Sequence, residues 1–575
     1  MIFLKKRWNE NLTINKKCLL LIVLIAFIFI TPQLITHNMV IGSDSIFHFN
    51  RFYDASEQIR NKNFEYFISL YGFQQSGRIV NAFYGPIIAY LHGLLVLLSK
   101  NWYVYQVLSN FILFVLSGCS MYTFLRAGSF NYRKSCTGAI LYMCTFSILY
   151  WPTRQGFTSW GAALLPFCLS IIFIVFDKKE VPKFKLGFLT ALIFQTHILS
   201  SLILVLMYTP IFLYAFVKTK KRKRFIIDLI REVSLFFLLT LNIWVTYFSI
   251  TRENQFIKPF INHTMSSNTI NQGSSYWLIN PVSLLLMLVS VLGLGFVKWK
   301  TYDSSKKILF LTMVFFLIVS SSIIPWDYLI ENNSSIAEII QFPFRFFVPV
   351  TILLIYFFMN SSNLKWLNTS FVILGVIQVV MLMFVITKPW NTSDNYIQSG
   401  SKTIINSSNS TNTVKESFFL KDKSKALKIV EKTTPDYLPL YNKTKLNKYK
   451  LYEEKIIDKA GMFRKSVQNS QLIITVDHFN KKNTEFPIVI YTDTVLSTGG
   501  KKIDRSKYTL SEIGTPIIPN DMIINNQVAI HFENKFLLYP ILLTFGLWIL
   551  TILFLSKNLL KELTKNWSFK VKGIH

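Results

Sequence analysis

The stretch Gly42–Arg51, directly after the first apolar run, combines three side chains that can do chemistry. Ser43 and Asp44 are of the residue types that begin helices. In a helix that starts here, Asp44, His48 and Arg51 fall at positions i, i+4 and i+7 and share one face. A proton acceptor, an imidazole and a cation would therefore converge at one point of the chain. The alternative interpretation is an amphipathic connecting helix whose aspartate only caps it.

The composition of the chain indicates a membrane protein. The chain has 575 residues, of which 51% are hydrophobic and 16% aromatic, and its mean hydropathy is +0.37. A chain this apolar is typical of proteins that cross the membrane several times, so a soluble enzyme is excluded. The net charge of +31 does not indicate nucleic-acid binding, because much of it lies in short loops between apolar runs.

The cysteines do not form the pattern of a metal site or of a disulfide framework. They lie in or beside apolar runs, without the spacing of metal ligands, and we interpret them as small apolar packing residues. They are Cys18, Cys119, Cys136, Cys144 and Cys168.

The apolar runs predict about 12 membrane-spanning helices with both termini in the cytoplasm. The runs fall near 18–35, 84–99, 103–125, 136–151, 160–176, 186–217, 234–250, 280–297, 308–325, 346–359, 367–387 and 536–555. Lys5, Lys6 and Arg7 precede the first run and place the start of the chain inside. The run 84–99 is expected to lie along the outer surface, because the basic loops that follow it are then cytoplasmic. The run 186–217 is too long for one helix and is expected to turn at Gln195-Thr-His197.

The composition changes after the eleventh apolar run. Residues 389–535 are polar, begin with a Ser/Asn/Thr-rich linker, and then alternate between apolar and polar side chains at 471–477 and 486–493. Period-2 alternation bounded by glycine and proline predicts β-strands. We therefore expect a transmembrane domain (1–388) with an outer loop at 36–101, and an extracytoplasmic, mostly β domain (389–535). A last helix with a basic cytoplasmic tail (536–575) completes the chain.

A cytoplasmic start, one span and a long outer loop that opens with an acidic residue resemble the GT-C fold of integral-membrane glycosyltransferases. Asp44 is similar to the acidic motif of that loop. Tyr84-Gly-Pro86, Gln341-Phe-Pro-Phe-Arg345 and Asp436-Tyr-Leu-Pro439 resemble motifs of the bacterial YfhO-like, 6-pyruvoyl-tetrahydropterin-synthase-related membrane proteins. The resemblance implies an α-helical polytopic membrane protein that moves a sugar from a polyprenyl phosphate carrier to a cell-envelope polymer. Teichoic acids are the best-known acceptor class.

This chemistry assigns roles to the candidate residues. Transfer from a polyprenyl phosphate sugar needs a base for the acceptor hydroxyl and positive charge for the phosphate leaving group. Asp44 is the expected base, and His48 would orient it, touch the donor or be satisfied by a loop carbonyl. Arg154 and Arg345 are the expected phosphate ligands, because guanidinium forks match phosphate oxygens. Each arginine has an alternative role as an interfacial side chain at a helix end.

Arg51 and Gln341 complete the set of candidate substrate-binding residues. No cofactor is expected. Some GT-C enzymes hold a divalent metal between paired acidic residues, but in this chain Ser43 and Ser45 flank Asp44. The partners implied by the resemblance are the lipid-linked sugar, the envelope polymer and membrane lipids, in a bacterial cell membrane.

Two other classes of function remain open. A lipid or polysaccharide transporter or flippase would place ionisable residues and broken helices near the middle of the bilayer and would show repeated halves. The spans contain few charges, and the sequence shows no repeat. A non-catalytic envelope scaffold would use the outer β domain to bind a polymer or a protein.

Overall fold

Helices form most of the chain before residue 393, and short strands are concentrated after residue 402. The computed structural model describes residues 14–392, 403–405, 409–442, 447–479 and 482–572. The basic residues Lys5, Lys6 and Arg7 and most of the predicted linker lie outside the described residues.

The helices of the first half follow one another with short connections. They are α1 (Lys16–Thr36), α2 (Ser45–Asn61), α3 (Pro86–Leu98), α4 (Trp102–Ala127), α5 (Tyr132–Met143), α6 (Phe146–Arg154), α7 (Thr158–Leu169), α8 (Ile172–Lys178), α9 (Leu186–Thr196), α10 (Ile198–Lys218), α11 (Arg222–Leu239) and α12 (Leu241–Glu253).

The helices of the second half are interrupted by the β-rich region. They are α13 (Tyr276–Ile279), α14 (Val282–Val297), α15 (Ser304–Val319), α16 (Trp326–Glu331), α17 (Ser335–Ile340), α18 (Phe347–Ser361), α19 (Lys365–Thr387), α20 (Pro389–Thr392), α21 (Thr411–Ser417), α22 (Ser424–Ile429), α23 (Lys448–Tyr452), α24 (Asp458–Ala460) and α25 (Lys535–Lys572).

Among the described residues, seven helical segments are long and apolar enough to cross a membrane. They are Lys16–Thr36, Trp102–Ala127, Thr158–Lys178, Ile198–Lys218, Pro343–Ser361, Lys365–Thr392 and Phe536–Lys557. The pair α11 and α12, bent by 64°, would form an eighth span if counted as one. The predicted number of about 12 spans is therefore not confirmed, whereas the mostly helical, membrane-type fold is.

Two of the apolar runs fold into short helices. The run 84–99, which was not predicted to cross the membrane, forms α3, and the first part of the run 186–217 forms α9. Both helices are shorter than the roughly 20 residues that a bilayer requires. The run 186–217 is broken at His197, as its polar centre predicted, and His197 has extended backbone angles of φ −156° and ψ 107°.

The strands of the C-terminal region form three antiparallel sheets. The largest has the order β3 (Arg464–Gln468), β4 (Gln471–Thr475), β10 (Gln527–Phe532), β6 (Thr494–Thr498) and β7 (Lys501–Lys502). The second has the order β5 (Asn483–Glu485), β9 (Pro516–Pro519) and β8 (Thr509–Leu510), and the third pairs β1 (Thr403–Ile405) with β2 (Val430–Lys432).

The strand predicted at 471–477 is confirmed as β4, but the strand predicted at 486–493 is wrong. In that segment Ile488, Val489 and Ile490 are all buried, so the alternation does not separate an inner from an outer face. The Val489 N–H donates to the carbonyl of Ser76 at 2.7 Å instead of to a neighbouring strand. The segment therefore fills the space between the loop 36–101 and the rest of the β-rich region.

The loop 36–101 and the C-terminal region share their apolar cores. The loop residues Phe67, Ile68 and Ile79 pack in one cluster with buried residues of the β-rich region, such as Val489. In the opposite direction, Phe418 packs in the core of the helical region. Each region therefore contributes residues to the core of the other, so the two regions do not form separate cores.

Arg78 joins the two regions in the interior. Its guanidinium is fully buried, donates to the backbone carbonyls of Thr434 and Asp436, and lies over the rings of Phe73 and Tyr452 at 4.8 and 5.2 Å. Two carbonyls of the C-terminal region thus receive their hydrogen bonds from one side chain of the first loop.

We expect Arg78→Leu to lower the thermal unfolding midpoint clearly, because each buried carbonyl left without a donor costs about 1–3 kcal/mol. Arg78→Lys should restore only part of the stability, because an ammonium lacks the two-pronged geometry. The measurement is differential scanning fluorimetry of the full chain in detergent. Arg464→Leu, at an exposed ion pair with Asp477, is the control with little expected effect. Equal midpoints for the Arg78 and Arg464 variants would contradict this account.

Candidate functional site

The turn that leads into α2 packs against the end of α6. Gly42 lies so close to the backbone of Arg154 that a β-carbon at position 42 would overlap it. The Gly42 N–H donates to Gln155 Oε1 at 3.0 Å, and the Ser45 hydroxyl also bonds Gln155 Oε1. The turn is thereby fixed without using the carboxylate of the residue between them.

Asp44 occupies the N-cap position of α2, yet its side chain makes no capping hydrogen bond. The sequence predicted a helix that begins at this point, and it does, but the expectation that Asp44 or Ser43 caps it through the side chain is not met. Ser45 and Gln155 hold the turn instead. The half-buried carboxylate of Asp44 therefore keeps its oxygens available for another partner.

Three charged side chains from distant parts of the chain surround Asp44: Lys432, Arg345 and Asp436. Burial raises the pKa of the Asp44 carboxyl above its ordinary value, Lys432 and Arg345 act in the opposite direction, and Asp436 adds to the rise. The Lys432 ammonium also donates to the carbonyl of Ser43. The candidate site is thus a carboxylate in a confined, mixed-charge environment.

The predicted face of α2 is confirmed only for His48 and Arg51, which contact each other and point inward. Among the described residues no hydrogen bond or ion pair joins either of them to the Asp44 carboxylate. Arg51 is fully buried and donates to His48 Nδ1 at 3.3 Å, to Asn81 Oδ1 at 3.1 Å and to the carbonyl of Tyr84. Its guanidinium lies 4.3 Å from the centre of the Tyr84 ring. Arg51 is therefore occupied in holding the motif Tyr84-Gly-Pro86, where the chain turns into α3, and its direct contact with a substrate stays a prediction.

His48 is buried between aromatic rings and accepts from Arg51. Its ring stacks on that of Phe157, with 4.9 Å between the centroids. Burial, and then the nearby Arg51, hold the pKa of His48 well below its ordinary value. His48 is therefore neutral, with Nδ1 as an acceptor, and it supports Arg51 within the helix face.

Arg345 and Gln341 occupy the turn before α18, and their settings differ. Arg345 is half-buried, donates from Nη1 to the carbonyl of Ile340 at 3.0 Å and lies over the ring of Phe342 at 4.9 Å. Its Nε–H is enclosed without a hydrogen-bond partner. Gln341 donates from Nε2 to the carbonyl of Phe260 at 2.8 Å. Gln341 thus anchors a loop, whereas Arg345 retains donors for a ligand.

Arg154 ends α6 and is exposed. Its guanidinium lies over the ring of Tyr276 at 5.1 Å. Tyr150 lies one turn earlier on α6. Burial raises the pKa of its phenol and the Asp44 carboxylate adds to the rise, whereas Arg345 and Arg154 lower it. Asp44, Arg345 and Arg154 therefore all lie within electrostatic range of Tyr150.

Sequence reasoning missed Lys432 and undervalued Asp436. Asp436 stands in the motif Asp436-Tyr-Leu-Pro439, which was used only for the family resemblance and gave Asp436 no role in the site. No signal in the sequence singled out Lys432. Both reach the site because the chain after β2 passes over the turn at Ser43.

Within the described residues, no three His, Cys, Asp or Glu side chains come together as a metal site. No family model, curated protein or solved structure matches the chain. The functional interpretation therefore depends on the geometry around Asp44 and on the motifs.

The raised pKa of Asp44 predicts the sign of a stability change with pH. The folded state holds the proton of Asp44 more tightly than the unfolded chain does, so ionisation destabilises the fold as pH rises above the ordinary aspartate value of about 4. Relative to the wild type, Asp44→Asn should therefore gain thermal stability between pH 4 and pH 7, and this difference should vanish at the acidic end.

The measurement is the unfolding midpoint of both proteins across that pH range, with the exposed Asp521→Asn as control. A wild type that becomes more stable than Asp44→Asn as pH rises would mean that Lys432 and Arg345 outweigh burial, and would reverse the predicted sign.

Proposed function

We propose that the protein is a membrane glycosyltransferase that moves a sugar from a polyprenyl phosphate carrier to an extracytoplasmic cell-envelope polymer. The observation that carries the proposal is the Asp44 carboxylate, held near the end of the first apolar helix without a capping bond and beside Arg345 and Lys432. Such a transfer requires a base for the acceptor hydroxyl and, close to it, positive charge for the phosphate leaving group.

In the proposed reaction the acceptor hydroxyl oxygen attacks the anomeric carbon of the lipid-linked sugar. The hydroxyl proton goes to Asp44, a new glycosidic bond forms, and the bond between the anomeric carbon and the phosphate oxygen breaks. The electron pair of that bond leaves with polyprenyl phosphate. Arg345, and Arg154 beside it, would stabilise the negative charge that develops on the phosphate.

The raised pKa of Asp44 suits this role. A carboxylate whose pKa lies closer to the working pH is a stronger base than an ordinary exposed aspartate. Lys432 and Arg345 oppose the effect of burial and favour the ionised form, which is the form that accepts a proton.

The proposed orientation in a bacterial membrane follows the positive-inside rule. The basic residues of the segment 218–224 and of the segment 298–307 would lie in the cytoplasm. Both termini would lie there too, which requires an even number of crossings, as when α11 and α12 count as one span. The turn at Asp44 and the β-rich region would then face the outside, where lipid-linked sugars meet envelope polymers.

A transporter or flippase is the second candidate, and one observation favours it. The helices α11 and α12 meet at a bend of 64°, and discontinuous helices are typical of transporters. At this bend the carbonyl of Leu239 accepts from Gln195 at 3.0 Å and from Trp548 at 2.8 Å. The bend thus docks other helices. The buried Glu232 of α11 is paired with Arg231 and accepts from the N–H groups of Phe184 and Gly187, so its charge is used within the fold and the transferase is the better supported function.

Asp44→Asn should lose most of the transfer activity, by on the order of 10²–10⁴-fold, because the amide cannot accept the proton. The assay uses the full chain in proteoliposomes with polyprenyl monophosphate carrying ¹⁴C-labelled glucose, galactose or N-acetylglucosamine, each tested separately. The acceptor is envelope polymer from a strain that lacks the protein. Asp521→Asn is the control. A near wild-type rate for Asp44→Asn, or no transfer by the wild type from any of the donors, would contradict the proposal.

Arg345→Lys should raise the KM for the lipid-linked sugar and lower kcat, because a point charge loses the bidentate geometry of the guanidinium. Arg154→Lys should have a smaller effect, since Arg154 is exposed and solvent screens its charge. The same transfer assay measures both variants, with the exposed Arg252→Lys as control. Unchanged kinetics for Arg345→Lys would remove the phosphate-binding role and leave Arg345 as an interfacial side chain.

A further inference from the structure

The segment 430–439, which we call the clasp, runs from β2 over the entrance of α2. β2 packs against α2, and the Lys432 ammonium at its end donates to the carbonyl of Ser43. This contact joins residues that are 389 positions apart in the chain. The ammonium therefore reaches the residue next to Asp44 from a part of the chain that is distant in sequence.

The backbone of the clasp is held on both sides of the site. Arg78 donates to the carbonyls of Thr434 and Asp436, and the Tyr491 hydroxyl donates to the carbonyl of Tyr437 at 2.9 Å. The Tyr437 ring stacks on that of Phe83, with 5.4 Å between the centroids. Lys432 thus extends from a fixed backbone toward a fixed turn.

We propose that Lys432 is a positioning residue for Asp44, by which the C-terminal region completes the catalytic centre. This inference rests on the proposed function. Through the Ser43 carbonyl, Lys432 adds a second contact to the turn that Ser45 and Gln155 already hold, and its charge attracts the carboxylate. An aspartate that is not held by its own capping bond needs such an external restraint to keep one orientation toward an acceptor.

The groups that face Asp44 come from every element around it. The clasp contributes Lys432 and Asp436, and the turn before α18 contributes Arg345. Tyr84 before α3 and Tyr150 of α6 also interact with the carboxylate, and burial keeps both phenols protonated. Burial and Asp436 raise the pKa of Asp44, and Lys432 and Arg345 lower it. Loss of the Lys432 charge should therefore raise the pKa of Asp44 further.

The test is the pH dependence of transfer by the full chain, in the proteoliposome assay with the labelled polyprenyl monophosphate sugar. Lys432→Met should lower kcat at neutral pH by on the order of 10- to 100-fold, with the KM for the donor little changed. The acidic limb of its pH profile should move to higher pH. Lys432→Arg should recover much of the rate, and Asp436→Asn should move the acidic limb to lower pH. Lys428→Met, at an exposed position of α22, should behave as the wild type.

Three results would overturn the inference. The first is a Lys432→Met profile that coincides with the wild type. The second is a raised donor KM at unchanged kcat, which would make Lys432 a phosphate ligand. The third is equal loss in Lys432→Met and Lys432→Arg without a pH shift, which would indicate only a folding role. If Lys432→Met yields little folded protein, Lys432→Gln takes its place.

Asp44→Asn, assayed in parallel, separates this inference from the proposed function. An inactive Asp44→Asn beside a normal Lys432→Met would remove only the role of Lys432. An active Asp44→Asn would remove the proposed function itself.

Discussion

The buried guanidinium of Arg78 is the interaction on which the arrangement of the site depends. A cation in the interior is costly unless its donors find partners. For Arg78, backbone carbonyls accept from both Nη groups and aromatic rings face the charge, whereas its Nε–H has no partner. Because those carbonyls belong to Thr434 and Asp436, the loop 36–101 and the clasp cannot move independently. The clasp then carries Lys432 to Ser43.

The neighbours of Asp44 determine both the hydrogen bonding and the pKa of its carboxyl group. Ser45 and Gln155 hold the turn, so the N-cap carboxylate is released from the role that aspartate has at most helix starts. Burial then disfavours its ionised form, and Lys432 and Arg345 partly compensate. A carboxylate that costs stability but keeps its oxygens available is typical of functional sites, where stability is given up for activity.

Some of this arrangement could be predicted from the sequence. The spacing of Asp44, His48 and Arg51 predicted one helical face, and Arg51 does bond His48. Periodicity defines a face but not its direction, so it did not show that Arg51 points into the core toward Tyr84. The break at His197 was predictable because polar residues interrupt an apolar run that is too long for one helix.

Other features depend on tertiary contacts that no local pattern encodes. The buried segment 486–493 alternates like a strand, yet its backbone pairs with Ser76 of the first loop. Lys432 resembles any other lysine of a basic chain until the fold brings it to Ser43. The predicted number of about 12 spans is not confirmed, because apolar runs such as 280–297 form helices shorter than a bilayer usually requires. Composition alone does not separate a short buried helix from a membrane span.

The central claim is that the turn at Asp44, the residues before α18 and the clasp together form one site for a lipid phosphate and its sugar. Photo-crosslinking tests it most directly, with the full chain in nanodiscs and a polyprenyl phosphate that carries a diazirine beside the phosphate. Mass spectrometry should find adducts in the segments 42–51, 341–346 or 430–439, and unlabelled polyprenyl phosphate should suppress them. Adducts confined to the exposed faces of apolar helices such as α19, and insensitive to competition, would contradict the account.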